Sequence, residues 1–401
     1  MLVAHMMLFE RKRLWGVVRS TAAIIAAAIA LGGCARQSTI GVGCSMCRTP
    51  VAIKTPVPAI VTRGKFVVVG DMTTPRAGHI AILLDDGRVL IAGGEAPSPA
   101  GTMGQLPQLR SAEIYDPGTR KFEATDSMRS ARLAPAAVLL RDGNVLFVGG
   151  SDAEIYDVNR RRFAPTGSLI DEITSPLAVM LNDGNVLVCG DTATNCEIYF
   201  SKIGKFRETS HTHGMATGNP ILLPDGRALF GVGSAQYYNI GPYVEVFDPE
   251  TETFRALRSP HVPTSPPFRL DDGRFFLGSE FLDPANDTFT DATGFVMGNS
   301  VTLLQSGKLL IAGGIKCRSS KGQAMGHVSG IGISPAAIGC SSIPTAKAWL
   351  YDPRTQTQVE IEDMNVARRG QTATSLKDGS VLIAGGRSAN LVESSAEVYV
   401  P

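Results

Sequence analysis

Hydrophobic residues in this chain gather into short runs divided by Asp, Gly, Pro and Thr, a rhythm that predicts many short strands rather than helices. One phrase recurs seven times: Asp-Gly, one residue, then an apolar run usually closed by Gly-Gly. The copies are DGRVLIAGG from Asp86, DGNVLFVGG from Asp142, DGNVLVCGD from Asp183, DGRALFGVG from Asp225, DGRFFLGSE from Asp272, SGKLLIAGG from Ser306 and DGSVLIAGG from Asp378. A second phrase follows each: AEIYDP from Ala112, AEIYDV from Ala153, CEIYFS from Cys196, VEVFDP from Val244, EFLDP from Glu280, AWLYDP from Ala348 and AEVYVP from Ala396. A third is an aromatic strand ending near Met, clearest in KFEATDSM from Lys121, and an apolar run such as HIAILL from His79 precedes each Asp-Gly.

Each repeat therefore reads as four short strands. Asp-Gly supplies the positive-φ turn that joins the first two into a hairpin. The near-continuous apolar run after it suits a strand buried on both faces. Gly-Gly ends that strand where neighbouring sheets crowd, and Tyr-Asp-Pro ends the third with a breaker. One such sheet cannot bury both faces alone, whereas sheets stacked around an axis can.

These phrases resemble the kelch family, in its bacterial DGxVLxxGG and AExYDP form, over residues 64–401. The resemblance implies an all-β, seven-bladed propeller of four-stranded blades. Gly-Gly is lost at Cys189-Gly190-Asp191, Gly231-Val232-Gly233 and Gly278-Ser279-Glu280, where distorted blades are expected. The last repeat stops after its third strand, at Pro401, while KFVVVGDM at residues 65–72 precedes the first repeat and aligns without gaps on the strand at Lys121–Met128. Residues 65–72 are thus expected to close the last blade and remove two exposed sheet edges.

Ahead of the repeats, Arg11, Lys12, Arg13 and Arg19 precede an apolar run from Thr21 to Leu31, too short to span a bilayer and patterned like a secretory signal. Leu31-Gly32-Gly33-Cys34 resembles the lipobox of bacterial lipoproteins, which implies acylation at Cys34. The expected division is a signal at residues 1–33, a tether at 34–63 and the propeller at 64–401. The expected address is the cell envelope, with the membrane reached through the lipid, and the outer membrane favoured in a Gram-negative source because Ala35 follows the Cys.

Six cysteines remain: Cys44, Cys47, Cys189, Cys196, Cys317 and Cys340. In an exported chain they are disulfide candidates. Cys189 and Cys196 flank one short connection, Cys317 and Cys340 sit near the ends of the longest insertion, and Cys44 and Cys47 lie close enough to close on each other. A metal site at Cys44 and Cys47 needs further ligands at matching spacing, and none is nearby.

Strand alternation puts the Asp-Gly hairpins on one rim and all the long connections on the other, where binding is expected, at the loops and the channel mouth. Candidate binding residues there are Arg76, His79, Arg132, His211, His213, Tyr237, Tyr238, His261, Arg368 and Arg369. Arg76, Arg132 and Arg368 each follow a blade-end Met by four residues, a recurrence that resembles the family's scaffold arginine, so the structural reading is preferred for them over ligand binding. No nucleophile elbow, His-Glu-x-x-His or phosphate loop is present. The net charge of +1 gives no electrostatic footprint for nucleic acid. The expectation is a monomeric binding module for a protein or glycan, without metal or cofactor; the alternative is a carbohydrate-active enzyme of mutarotase, lyase or oxidase type.

Overall fold

The computed structural model describes residues 64–98, 106–173, 175–190, 195–213, 215–233, 243–260, 267–293, 300–317, 340–389 and 391–401. The expected signal and tether, with Cys34, Cys44 and Cys47, lie outside the described residues, as do Tyr237, Tyr238 and His261.

The described chain is all β: seven four-stranded antiparallel sheets and one two-stranded ribbon. Strand β1 (Lys65–Val68) comes first and is set apart from its neighbours in sequence. Blade 1 is β2 (Ile80–Leu83), β3 (Val89–Ala92), β4 (Ala112–Asp116) and β5 (Lys121–Ala124). Blade 2 is β6 (Ala136–Leu139), β7 (Val145–Gly149), β8 (Asp152–Asp157) and β9 (Arg162–Pro165). Blade 3 is β10 (Leu177–Met180), β11 (Val186–Cys189), β12 (Cys196–Phe200) and β13 (Lys205–Glu208). Blade 4 is β14 (Met215–Leu222), β15 (Ala228–Gly233), β16 (Tyr243–Asp248) and β17 (Thr253–Arg258). Blade 5 is β18 (Phe268–Arg269), β19 (Phe275–Phe276), β20 (Glu280–Asp283) and β21 (Thr288–Asp291). Blade 6 is β22 (Ser300–Leu303) and β23 (Leu309–Ala312), then the ribbon β24 (Ile315–Cys317) and β25 (Cys340–Pro344), then β26 (Ala348–Asp352) and β27 (Thr357–Glu360). Blade 7 is β28 (Thr372–Ser375), β29 (Val381–Ala384), β30 (Ala396–Val400) and β1.

First strands of neighbouring blades touch, β28 with both β22 and β2, β2 with β6, β6 with β10, and β10 with β14, so they ring the axis. Second strands such as β3, β11, β23 and β29 are buried along their whole length, as their unbroken apolar runs predict. Outer strands show one inward aromatic between exposed neighbours, as in β5 and β13. Each core lies between blades: Leu90 and Ile114 of blade 1 pack with Val145, Phe147 and Tyr156 of blade 2. Each such aliphatic side chain, removed from water, contributes about 1.5–3 kcal/mol.

The ring closes as the sequence predicts. β1 pairs antiparallel with β30, Phe66 opposite Tyr399, and their rings lie 5.2 Å apart. Past the strand, Val69 and Met72 still donate backbone hydrogen bonds to Ala396 and Ser394. The expected distortion falls mainly on blade 5, where β18 and β19 shrink to two residues each, while β14 and β15 carry a register shift between Thr217 and Ile221. Cys189 and Cys196 face each other across β11 and β12 and form a disulfide, Cα to Cα 4.3 Å. The ribbon register sets Cys317 opposite Cys340 at the base of the insertion.

The Gly-Gly phrase acts between blades. The second Gly donates its N–H to the next blade: Gly94 to the Arg132 carbonyl, Gly150 to Ile173, Gly314 to Arg368 and Gly386 to Arg76. A Cβ on Gly385 would stand 2.4 Å from the Arg76 carbonyl oxygen, and one on Gly93 would stand 2.7 Å from that of Arg132. At φ +62° and +70° both positions also favour glycine for conformational reasons.

Candidate functional site

Arg76, Arg132 and Arg368 do not present their side chains on the rim. All three are buried, and each guanidinium is engaged within its own blade. Arg76 donates to Glu113 through Nε at 3.1 Å and Nη2 at 2.8 Å, to the carbonyls of Gly93 and Ser111, and to the Ser111 hydroxyl. Arg368 repeats the set with Gly385, Ser395 and Glu397, and Arg132 with Gly149, Asp152 and Glu154. The partner glutamates are those of the AEIYDP-type phrase, and they also accept backbone N–H groups from Thr73, Arg129 and Asn365. Arginine, Gly-Gly and glutamate thus form one recurring unit that ties the first, second and third strands together. Burial pushes the Arg76 and Arg368 guanidiniums below their ordinary value, and Glu113 and Glu397 oppose this. Of the two readings the spacing allowed, the scaffold reading describes these arginines.

The unit changes around the ring. In blade 3, Ile173 takes the arginine's place, and Glu197 accepts N–H groups from Ile170 and Asp171. In blade 4, Glu245 accepts the His213 N–H, with the His213 ring 3.3 Å away. Burial raises both carboxyls above the usual carboxylate range. Trp349 replaces the glutamate in blade 6.

His79 is also interior. Its Nε2 lies 2.9 Å from the Thr372 hydroxyl, joining blades 1 and 7 at the axis. Burial, then the Arg76 charge, pushes its pKa down to about 3, so the ring is neutral. Gln371 forms the matching tie from blade 7 to Ser300 and the Ala312 carbonyl of blade 6. His211 and His213 are exposed, facing Glu208 and Glu245 respectively. Among the described residues no group of three His, Cys, Asp or Glu could hold a metal ion.

Arg369 lies in the connection between β27 and β28, on the long-loop rim, half-buried and in a backbone bridge with Arg387. Arg387 in turn grips Glu95 of blade 1 through Nε at 3.0 Å and through Nη2. The same rim carries large aliphatic side chains in the open: Leu133 at 43% exposure, Ile170 at 57%, Ile343 at 65% and Leu391 at 67%. Sequence reading passed over these four and over Arg387. Their only signal was an apolar residue in a connection, out of step with the repeat.

The opposite rim is built of tight turns. Asp86 accepts the Arg88 N–H and its guanidinium, and Asp142, Asp183, Asp225, Asp272 and Asp378 cap their turns in the same manner. A cavity of about 390 Å³ lies there, lined by Tyr115, Arg120, Gln305, Asp378 and Val398 among others. It is far from the long loops, and its Asp378 carboxylate is already held by the Ser380 N–H and hydroxyl.

No family model matches the chain, and no curated protein matches it. Among solved structures it is similar to one described as a novel fungal alcohol oxidase with catalytic diversity among the AA5 family, in complex with copper. The TM-score is 0.60 at 14% identity, covering 84% of this chain and 76% of that one, which is a likeness of fold. The described residues do not fit a copper site: His79 is interior and bonded to Thr372, and His211 and His213 lie on an exposed loop without a converging third ligand. The seven-bladed β-propeller is therefore established by the chain's own sheets and by this shared architecture.

Proposed function

We propose that this chain is an exported kelch-type propeller, lipid-anchored to the cell envelope through Cys34, and that it is a binding module which docks a protein on its long-loop rim. The observation that carries the reading is the distribution of exposed large hydrophobics among the described residues. Leu133, Ile170, Ile343 and Leu391 lie in long-loop connections, whereas the Asp-Gly rim offers Ile203 and the outer strands Val68 and Val359. Four of the seven thus share the long-loop rim, in connections of blades 2, 3, 6 and 7, and this one-sided excess is what favours protein contact there. All seven of these described side chains are aliphatic, and a sugar-binding face favours aromatic planes instead, so among the described residues the balance favours a protein over a glycan. The buried Arg–Glu units hold the blades rigid beneath these loops, which lowers the ordering cost of binding.

The test is photo-crosslinking in intact cells, with a photoreactive residue at Leu391 or at Ile203. Protein adducts from position 391 and none from 203 are expected; the reverse pattern would refute the docking face. A carbohydrate-active enzyme at the channel mouth is the second reading. Its support is the shared fold with the AA5 alcohol oxidase, and product release from a glycan panel would favour it.

A further inference from the structure

Arg369 and Arg387 exchange both backbone hydrogen bonds, 3.0 and 2.7 Å, so their side chains leave the same face of a short antiparallel bridge. Blade 1 has the same bridge between Ala77 and Glu95. The scaffold therefore asks for the bridge and not for two arginines. Arg387 has Glu95, and among the described residues Arg369 has no carboxylate partner. The Arg369 Nε–H is shielded from solvent and has no hydrogen-bond acceptor among the described residues. Arg387 is already matched to Glu95, whereas the Arg369 guanidinium keeps a shielded donor without an acceptor, which is costly until one arrives. Leu391, next to the Val392 that bridges Arg387, is open to solvent in a turn closed by Ser388 N–H to its carbonyl, and Leu133 lies against Gly78, whose N–H bonds the Gly370 carbonyl next to Arg369.

We propose that Arg369, supported by Arg387, seats a carboxylate of the protein partner, from an Asp or Glu flanked by aliphatic residues that cover Leu391 and Leu133. This inference rests on the long-loop rim being the docking face. Charge complementarity names the acidic group, and the aliphatic neighbours name a peptide segment rather than a sugar as its carrier. Arginine's planar fork suits a carboxylate in two-pronged geometry.

The experiment selects displayed random peptides on the full-length protein, then measures the best binders by calorimetry. Selected sequences should carry an acidic residue beside Leu, Ile or Val. Arg369→Gln should weaken them roughly ten- to a hundred-fold, as loss of a charge-assisted hydrogen bond does, without changing the melting temperature. Ile203→Ser should have no effect. If Leu391→Ser abolishes binding while Arg369→Gln does not, the carboxylate seat is wrong and the docking face stands. If neither matters, the docking face itself fails. Displacement by free glucuronate, with no peptide depending on Arg369, would reassign the seat to an acidic glycan and overturn the proposal.

Discussion

Replacing Arg76 with Met separates scaffold from ligand chemistry. The guanidinium is wholly buried against an equally buried Glu113, and its donors serve five acceptor contacts. Arg76→Met leaves Glu113 with only the Thr73 N–H and hydroxyl, and leaves the Gly93 and Ser111 carbonyls without this donor. Stranding one member of a buried ion pair costs roughly 3–5 kcal/mol. The chain contains the apolar counterparts already, Ile173 at the arginine position of blade 3 and Trp349 at the glutamate position of blade 6. The double variant Arg76→Met, Glu113→Leu should therefore regain most of the loss. Urea unfolding followed by far-ultraviolet circular dichroism and by Trp349 fluorescence provides the readout. Coincident curves license a two-state free energy, and Trp349 in blade 6 reports whether damage in blade 1 spreads around the ring. A single variant within about 1 kcal/mol of the parent, or a double variant no better than the single, would refute the reasoning.

Three further outcomes follow from the same structure. Lys65→Cys with Val400→Cys, paired across the closing strands, should form an intramolecular disulfide on oxidation and raise the unfolding midpoint; a chain that stays reduced or cross-links between molecules contradicts the closure. Cys189→Ala with Cys196→Ala opens a short loop and should cost about 2 kcal/mol by chain entropy, checked by urea titration. The His79 pKa is depressed below its unfolded value of about 6.5, so the unfolded chain binds the extra proton; this contribution is complete above pH 6.5 and is lost as pH falls toward about 3. His79→Gln should flatten that segment of the stability–pH curve, and an unchanged slope would show the ring to be solvated.

Much of the architecture was legible because each repeated phrase has a local physical cause. Asp-Gly turns, unbroken apolar second strands and Tyr-Asp-Pro ends fix four strands per repeat without any tertiary information. The closing strand was legible for a related reason: KFVVVGDM fills the one place the last repeat leaves empty. Blade 5 also announced its short strands, through the loss of Gly-Gly at Gly278-Ser279-Glu280. The site was less legible. The spacing of Arg76, Arg132 and Arg368 was visible, but that spacing cannot say whether a guanidinium points out or folds back onto a glycine carbonyl. Arg369 and Arg387 meet only because the β28–β29 hairpin lies between them, and Glu95 reaches them only because the ring closes. Leu133 and Leu391 stand out in sequence only as apolar residues in connections, and hydrophobicity alone does not show which side of a loop faces water.

The most direct measurement is carbene footprinting of the full-length protein with and without a selected peptide, read by mass spectrometry. Protection should fall on residues 129–134, 369–371 and 387–393, with the Asp-Gly turns unchanged. Protection at residues 115–120, 305–306 and 378–380 instead would place the ligand in the opposite-rim cavity and contradict the assignment of the long-loop rim.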